Sequence, residues 1–90
     1  MHSTDKGVAK IIVTREGVVY LDGQQVTLDK LDAEIGRRGT ELRECWYHRE
    51  HPEDENPHEN TMKVVGIIVK HRRPVAMYLD RDFTTRAKLN

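Results

Sequence analysis

Apolar and polar residues along this chain fall into short runs whose spacing predicts six elements. Val8 to Thr14 is dense in β-branched side chains (Val8, Ile11, Ile12, Val13, Thr14) and predicts a strand. Arg15-Glu16-Gly17 supplies turn chemistry, because glycine reaches positive φ without a Cβ penalty. Val18 to Leu21 is a second β-prone run, ended by Asp22-Gly23, so the two runs read as a hairpin. Leu28, Leu31 and Ile35 then recur at i, i+3, i+7 behind Thr27, a good N-cap residue. Asp29, Asp32 and Glu34 lie early in this segment, and Arg37 and Arg38 lie late, just before Gly39. That order complements the helix dipole and predicts a helix from Leu28 to Arg38, closed by the glycine.

Leu42 to Tyr47 predicts a third strand, and its Trp46-Tyr47 pair is the largest apolar deposit in the chain. His48 to Glu59 changes character, with two prolines, five acids and three histidines, and predicts a loop. The apolar run Met62 to Val69 fits a buried strand or a helix by periodicity alone. Asn60 or Thr61 as a cap and the cations Lys70-His71-Arg72-Arg73 at its end favour a helix. Pro74 stops it, since the residue before proline is pushed out of the α region. Val75 to Leu79 is the last strand, and a polar tail follows. The expectation is one α+β domain over residues 1–90, a two-layer sandwich of order β-β-α-β-α-β. Two helices would cover one face of a four-stranded sheet, with 1–7 and 85–90 as flexible ends.

Composition narrows the function classes. A chain of 90 residues buries only roughly 60–65% of its unfolded surface, so its core is thin. Fifteen basic and fifteen acidic residues leave no net charge, which argues against nonspecific nucleic-acid binding. The single cysteine, Cys45, has no internal disulfide partner. The N-terminus lacks an apolar signal core, and no run approaches the ~18 apolar residues of a membrane span. Direct membrane insertion is therefore not expected, and the default address is the cytosol if the chain is complete as written.

The strand-turn-strand from Ile11-Ile12-Val13-Thr14 through Gly17 to Tyr20-Leu21-Asp22-Gly23, followed by Val26-Thr27-Leu28 and Leu31, forms a familiar pattern. With the apolar helix ending at Arg73-Pro74 and the final strand before Asp80, it resembles the soluble domain of the ExbD/TolR family. These are accessory subunits of proton-driven motors in bacterial envelopes. The resemblance spans roughly residues 10 to 84 and rests on hydrophobic patterns with a few glycines. Family members carry an N-terminal membrane helix whose aspartate handles the proton, and this sequence shows neither. The resemblance therefore implies a fold, a tendency to pair, a habit of binding envelope proteins or cell-wall material, and a periplasmic address if the domain is an excised piece.

Two segments invite chemistry. Asp80-Arg81-Asp82-Phe83-Thr84, directly after a strand, resembles the D-x-D-x-T motif of haloacid-dehalogenase-type phosphohydrolases, whose first aspartate attacks phosphorus. That chemistry needs magnesium, further acids and a lysine on a sheet that follows the motif, and only six residues follow Thr84 here. His48, Glu50, His51 and His58, with Glu53, Asp54, Glu55 and Glu59, could bind zinc. However, the P-C-x-x-C half of the zinc-deaminase signature is missing, and His48-x-x-His51 lacks the i, i+4 spacing of two ligands on one helical face. Cys45 in mid-strand reads as a small core residue rather than a nucleophile.

The expectation is thus a noncatalytic protein-interaction module with no catalytic, metal or cofactor residue. Its partner is a protein, most plainly a second copy in a homodimer. The contact strand would be Val75, Met77, Tyr78 and Leu79, an apolar run bracketed by Arg73 and Asp80. The rival readings are a small metal-dependent hydrolase using the His48–Glu59 loop or Asp80 and Asp82, and a stand-alone inhibitor or regulator on the same fold.

Overall fold

The computed structural model describes residues 7–50 and 58–87. Five strands and two α-helices follow one another as β1 (Val8–Val13), β2 (Val19–Leu21), β3 (Gln24–Val26), α1 (Leu28–Arg38), β4 (Glu44–Arg49), α2 (Glu59–Lys70) and β5 (Val75–Met77). The strands form one mixed sheet in the order β3-β2-β1-β4-β5. β1 pairs antiparallel with β2 and parallel with β4, and β5 extends the parallel half. The α+β class and the two helices stand as the sequence implies, whereas the sheet has five strands rather than four.

The extra strand comes from Asp22-Gly23. Asp22 at φ 52° and Gly23 at φ 88° both occupy the left-handed region that a two-residue hairpin turn of type I′ requires. The chain therefore reverses there, and Gln24–Val26 pairs back on β2 instead of leading directly into the helix.

α1 has the bounds its pattern predicts. The Thr27 hydroxyl accepts the Lys30 N–H, and Gly39 closes the end at φ 54°. The third predicted strand is shifted, since β4 runs from Glu44 to Arg49 and takes in His48, which was expected in a loop. α2 confirms the helical choice for the ambiguous run, but its cap is His58, whose Nδ1 accepts the Asn60 N–H, rather than Asn60 or Thr61.

Register assigns the two faces. Ala9 lies beside Cys45, and Ile11 beside Tyr47 and Leu21. These join Val13 and Val19 in a core completed by Leu31 and Ile35 of α1, Leu42, and Val64 and Ile68 of α2. Both helices thus cover the same face of the sheet. Lys10, Ile12, Trp46 and Tyr20 alternate onto the opposite face, which neither α1 nor α2 covers.

Two polar contacts orient α2. At its start, the Asn60 side-chain amide donates to the Gly17 carbonyl at 2.8 Å. At its end, Lys70 Nζ and His71 Nε2 each lie 2.6 Å from a different oxygen of Asp32 on α1. The Lys70 hydrogen bond, then that of His71, hold the Asp32 carboxyl below the usual carboxylate range. A depressed folded-state value means this stabilisation is complete above the unfolded-state value near 4 and is lost as pH falls through the lower folded value. Asp32→Asn should therefore lower the melting temperature at pH 7. The gap to the parent should close on acidification below about pH 4, as read by thermal melts across that range. A gap that stays constant into acid would show that the clamp contributes through packing rather than charge.

Candidate functional site

Four large apolar side chains stand exposed among the described residues: Met62 (68%), Val69 (63%), Val75 (39%) and Leu79 (60%). All four belong to α2 or to β5 and its continuation. Thr61, Val64 and Ile68 face the core, and Lys70 reaches towards α1. At about 100° per residue, Met62, Val65 and Val69 then fall on the flank of α2 turned away from α1 and from the Gly17 turn. On β5, Val75 and Met77 share the helix-covered face with Cys45 and Tyr47, their register partners, and alternation carries Leu79 to that side as well. Val65 and Met77 are half-buried against the core at the rim of this flank. The outer side of α2 and the β5 edge thus supply the exposed apolar side chains among the described residues, an α2–β5 margin.

Of the expected contact residues, Val75, Met77 and Leu79 lie on this margin and Tyr78 does not. Tyr78 points to the opposite face, where its ring centroid is 4.9 Å from Trp46 and 5.4 Å from Phe83. Lys10 Nζ sits 5.6 Å from the Trp46 ring centroid, and the Arg86 guanidinium lies 5.5 Å from that of Tyr78. The Trp46 indole N–H donates to Glu44, which also accepts from Arg86 at 3.0 Å. Tyr78 thus anchors a small aromatic cluster beneath the tail. The reason is the period of two, since a five-residue apolar run cannot present all its side chains to one partner.

The β5 edge is partly closed by the chain itself. Residues 85–87, assigned by the sequence to a flexible end, run antiparallel beside it, with the Leu79 N–H donating to the Thr85 carbonyl at 2.9 Å and the Ala87 N–H to the Met77 carbonyl at 2.8 Å.

The residues suspected of chemistry are placed otherwise. Asp80 accepts from the Thr84 hydroxyl at 2.5 Å, the Thr84 N–H at 3.1 Å and the Thr85 N–H at 2.9 Å. The Thr84 hydroxyl, then the Thr85 N–H, hold its carboxyl below the usual range. Its oxygens build the turn into residues 85–87. Asp82 is exposed on that turn.

His48 is buried in β4 with Nδ1 3.1 Å from the Tyr78 carbonyl oxygen. That oxygen can only accept, so Nδ1 carries the proton. His58 caps α2 and Glu59 pairs with Lys63 at 2.7 Å. Glu50 pairs with Arg81 at 3.3 Å. His51, Glu53, Asp54 and Glu55 lie outside the described residues, and among the described ones no three His, Cys, Asp or Glu side chains converge as a metal site would require. Cys45 is fully buried, and burial pushes its thiol up to about 11.

Among the described residues, no helix is long and apolar enough to cross a membrane. No protein-family model, curated protein or solved structure matches the chain.

The contribution of α2 to the margin is what reading the sequence missed. Its signal was an apolar surplus: Met62, Val65 and Val69 at i, i+3, i+7 stand beside Thr61, Val64 and Ile68, more than one buried stripe needs.

Proposed function

We propose that this chain is a noncatalytic protein-interaction module resembling the soluble domain of ExbD/TolR motor accessory subunits, and that it engages a second copy of itself through the α2–β5 margin. The supporting observation is that the large apolar side chains exposed among the described residues, Met62, Val69, Val75 and Leu79, all belong to α2 or to β5 and its continuation. A thin core leaves apolar surface wet in one copy, and a twofold contact covers it on both partners at once. The margin also suits itself in charge. α2 begins with Glu59, and Arg72 and Arg73 follow its end. Two copies meeting with antiparallel α2 helices set Glu59, which already pairs with Lys63 of its own helix, near Arg72 and Arg73 of the other, so no like charges are opposed there. The zero net charge adds no overall repulsion.

Light scattering over a concentration series should show a mass moving from one chain towards two. Met62→Lys and Leu79→Lys should each return it to one chain with the circular-dichroism spectrum unchanged, because both side chains are already mostly in water. Tyr78→Lys, which acts on the other face, should change the spectrum of the aromatic cluster without this selective dissociation. A mass of one chain at every concentration would defeat the self-association reading.

A further inference from the structure

We propose that residues 80–87 form a displaceable strap that closes the β5 edge, so that strand pairing by a second copy must compete with the chain's own tail. This inference rests on the second-copy reading above and adds a control to it. In a parallel β4–β5 ladder the Pro74 carbonyl and the Tyr78 N–H point inward, to Cys45 and Tyr47. The Met77 carbonyl and the Leu79 N–H point outward. These outward groups are what an added strand would use, and Ala87 and Thr85 already hold them, at 2.8 and 2.9 Å. One ladder position serves the tail or the newcomer, never both.

The strap is built to hold loosely. Its anchors are the Asp80 turn, the Arg86 contacts with Glu44 and the Tyr78 hydroxyl at 3.0 and 3.2 Å, and the Phe83 ring over Trp46 at 6.1 Å. Its hydrogen bonds lie at the surface, and such exposed polar contacts add little. Phe83 also sits at φ 57°, a left-handed conformation that a bulky side chain rarely adopts, and release of the strap relieves it. None of the fully buried core side chains comes from residues 80–87. The strap therefore opens without unfolding the domain.

The test compares three forms by light scattering and amide hydrogen exchange. In Asp80→Ala/Arg86→Ala the strap loses two anchors. In Tyr78→Cys/Arg86→Cys a disulfide across the paired positions locks it when oxidised, and reduction of the same protein releases it. Cys45, buried, stays out of that chemistry. The loosened and reduced forms should pair at roughly tenfold lower concentration than the parent, because the edge-competent fraction rises. The oxidised form should pair more weakly than the parent. In the parent, the Leu79 and Ala87 amides should exchange well before those of Ile11 and Tyr47. If the locked form pairs as readily as the loosened ones, or those amides exchange only with the core, the strap is not a control and the proposal falls while the margin reading stands. Monomers in all three forms would overturn both.

Discussion

Gly17→Val should destabilise the domain by about 2–4 kcal/mol, a large share of what a chain of this size possesses. Gly17 sits at φ 90° in the turn between β1 and β2, where a β-branched residue is strained at once. A Cβ there would also lie 2.4 Å from His58 Nδ1. The imidazole cannot simply swing aside, because Nδ1 caps α2 through the Asn60 N–H, and the Asn60 amide binds the Gly17 carbonyl. The two costs can be separated. In Gly17→Ala/His58→Ala the clash is gone and the φ strain remains, so the double variant should lose less than the sum of the two single changes. Denaturant melts of all four proteins supply the cycle, and strict additivity would show that the ring and the turn do not press on one another.

Tyr47 carries the second large effect, and its sign depends on what is removed. The side chain is 1% exposed at the centre of the core, between Ile11 and Met77 across the sheet and beneath α2. Tyr47→Ala should cost about 3–5 kcal/mol by leaving a cavity that the surrounding strands cannot collapse into. Tyr47→Phe should cost almost nothing or stabilise slightly. The hydroxyl is buried without hydrogen-bonding geometry to any group, although Thr61 lies near enough to affect its ionisation. Burial pushes that phenol above its usual range, so it remains neutral and desolvated. A phenylalanine variant that loses more than about 1 kcal/mol would mean that an ordered water satisfies the hydroxyl in solution.

What the sequence made legible was whatever depends on neighbours along the chain. The bounds of α1 follow from Thr27, the early acids, the late arginines and Gly39, all local signals. β3 was equally local, since Asp-Gly between β-prone runs is a strong hairpin signal. It was masked because Gln24 and Gln25 are polar and exposed, leaving only Val26 to suggest a strand. The extension of β4 through His48 and Arg49 was not local. Those residues are strand because they pair in register with Ile12 and Val13, a contact no window of neighbours contains. The His58 cap likewise follows from docking against the Gly17 turn. In the proposed contact surface, the apolar content of Val75–Leu79 is visible in the sequence, but which of its side chains share the helix-covered face is not. The partnership with α2 required the fold.

The mixed pairing of β1 has a consequence for how the chain assembles. Its antiparallel side is closed by turns of a few residues, so β1, β2 and β3 can zip together within microseconds, as hairpins do. Its parallel side needs Glu44–Arg49, which the chain brings back to β1 only across the intervening α1. Loop-closure entropy is met there before any contact rewards it. On a ribosome the same order is imposed by synthesis, since the meander and α1 emerge before β4 exists. During that interval the β4-facing edge of β1, with Ile11 and Val13 beside it, is the segment most open to pairing with another nascent chain.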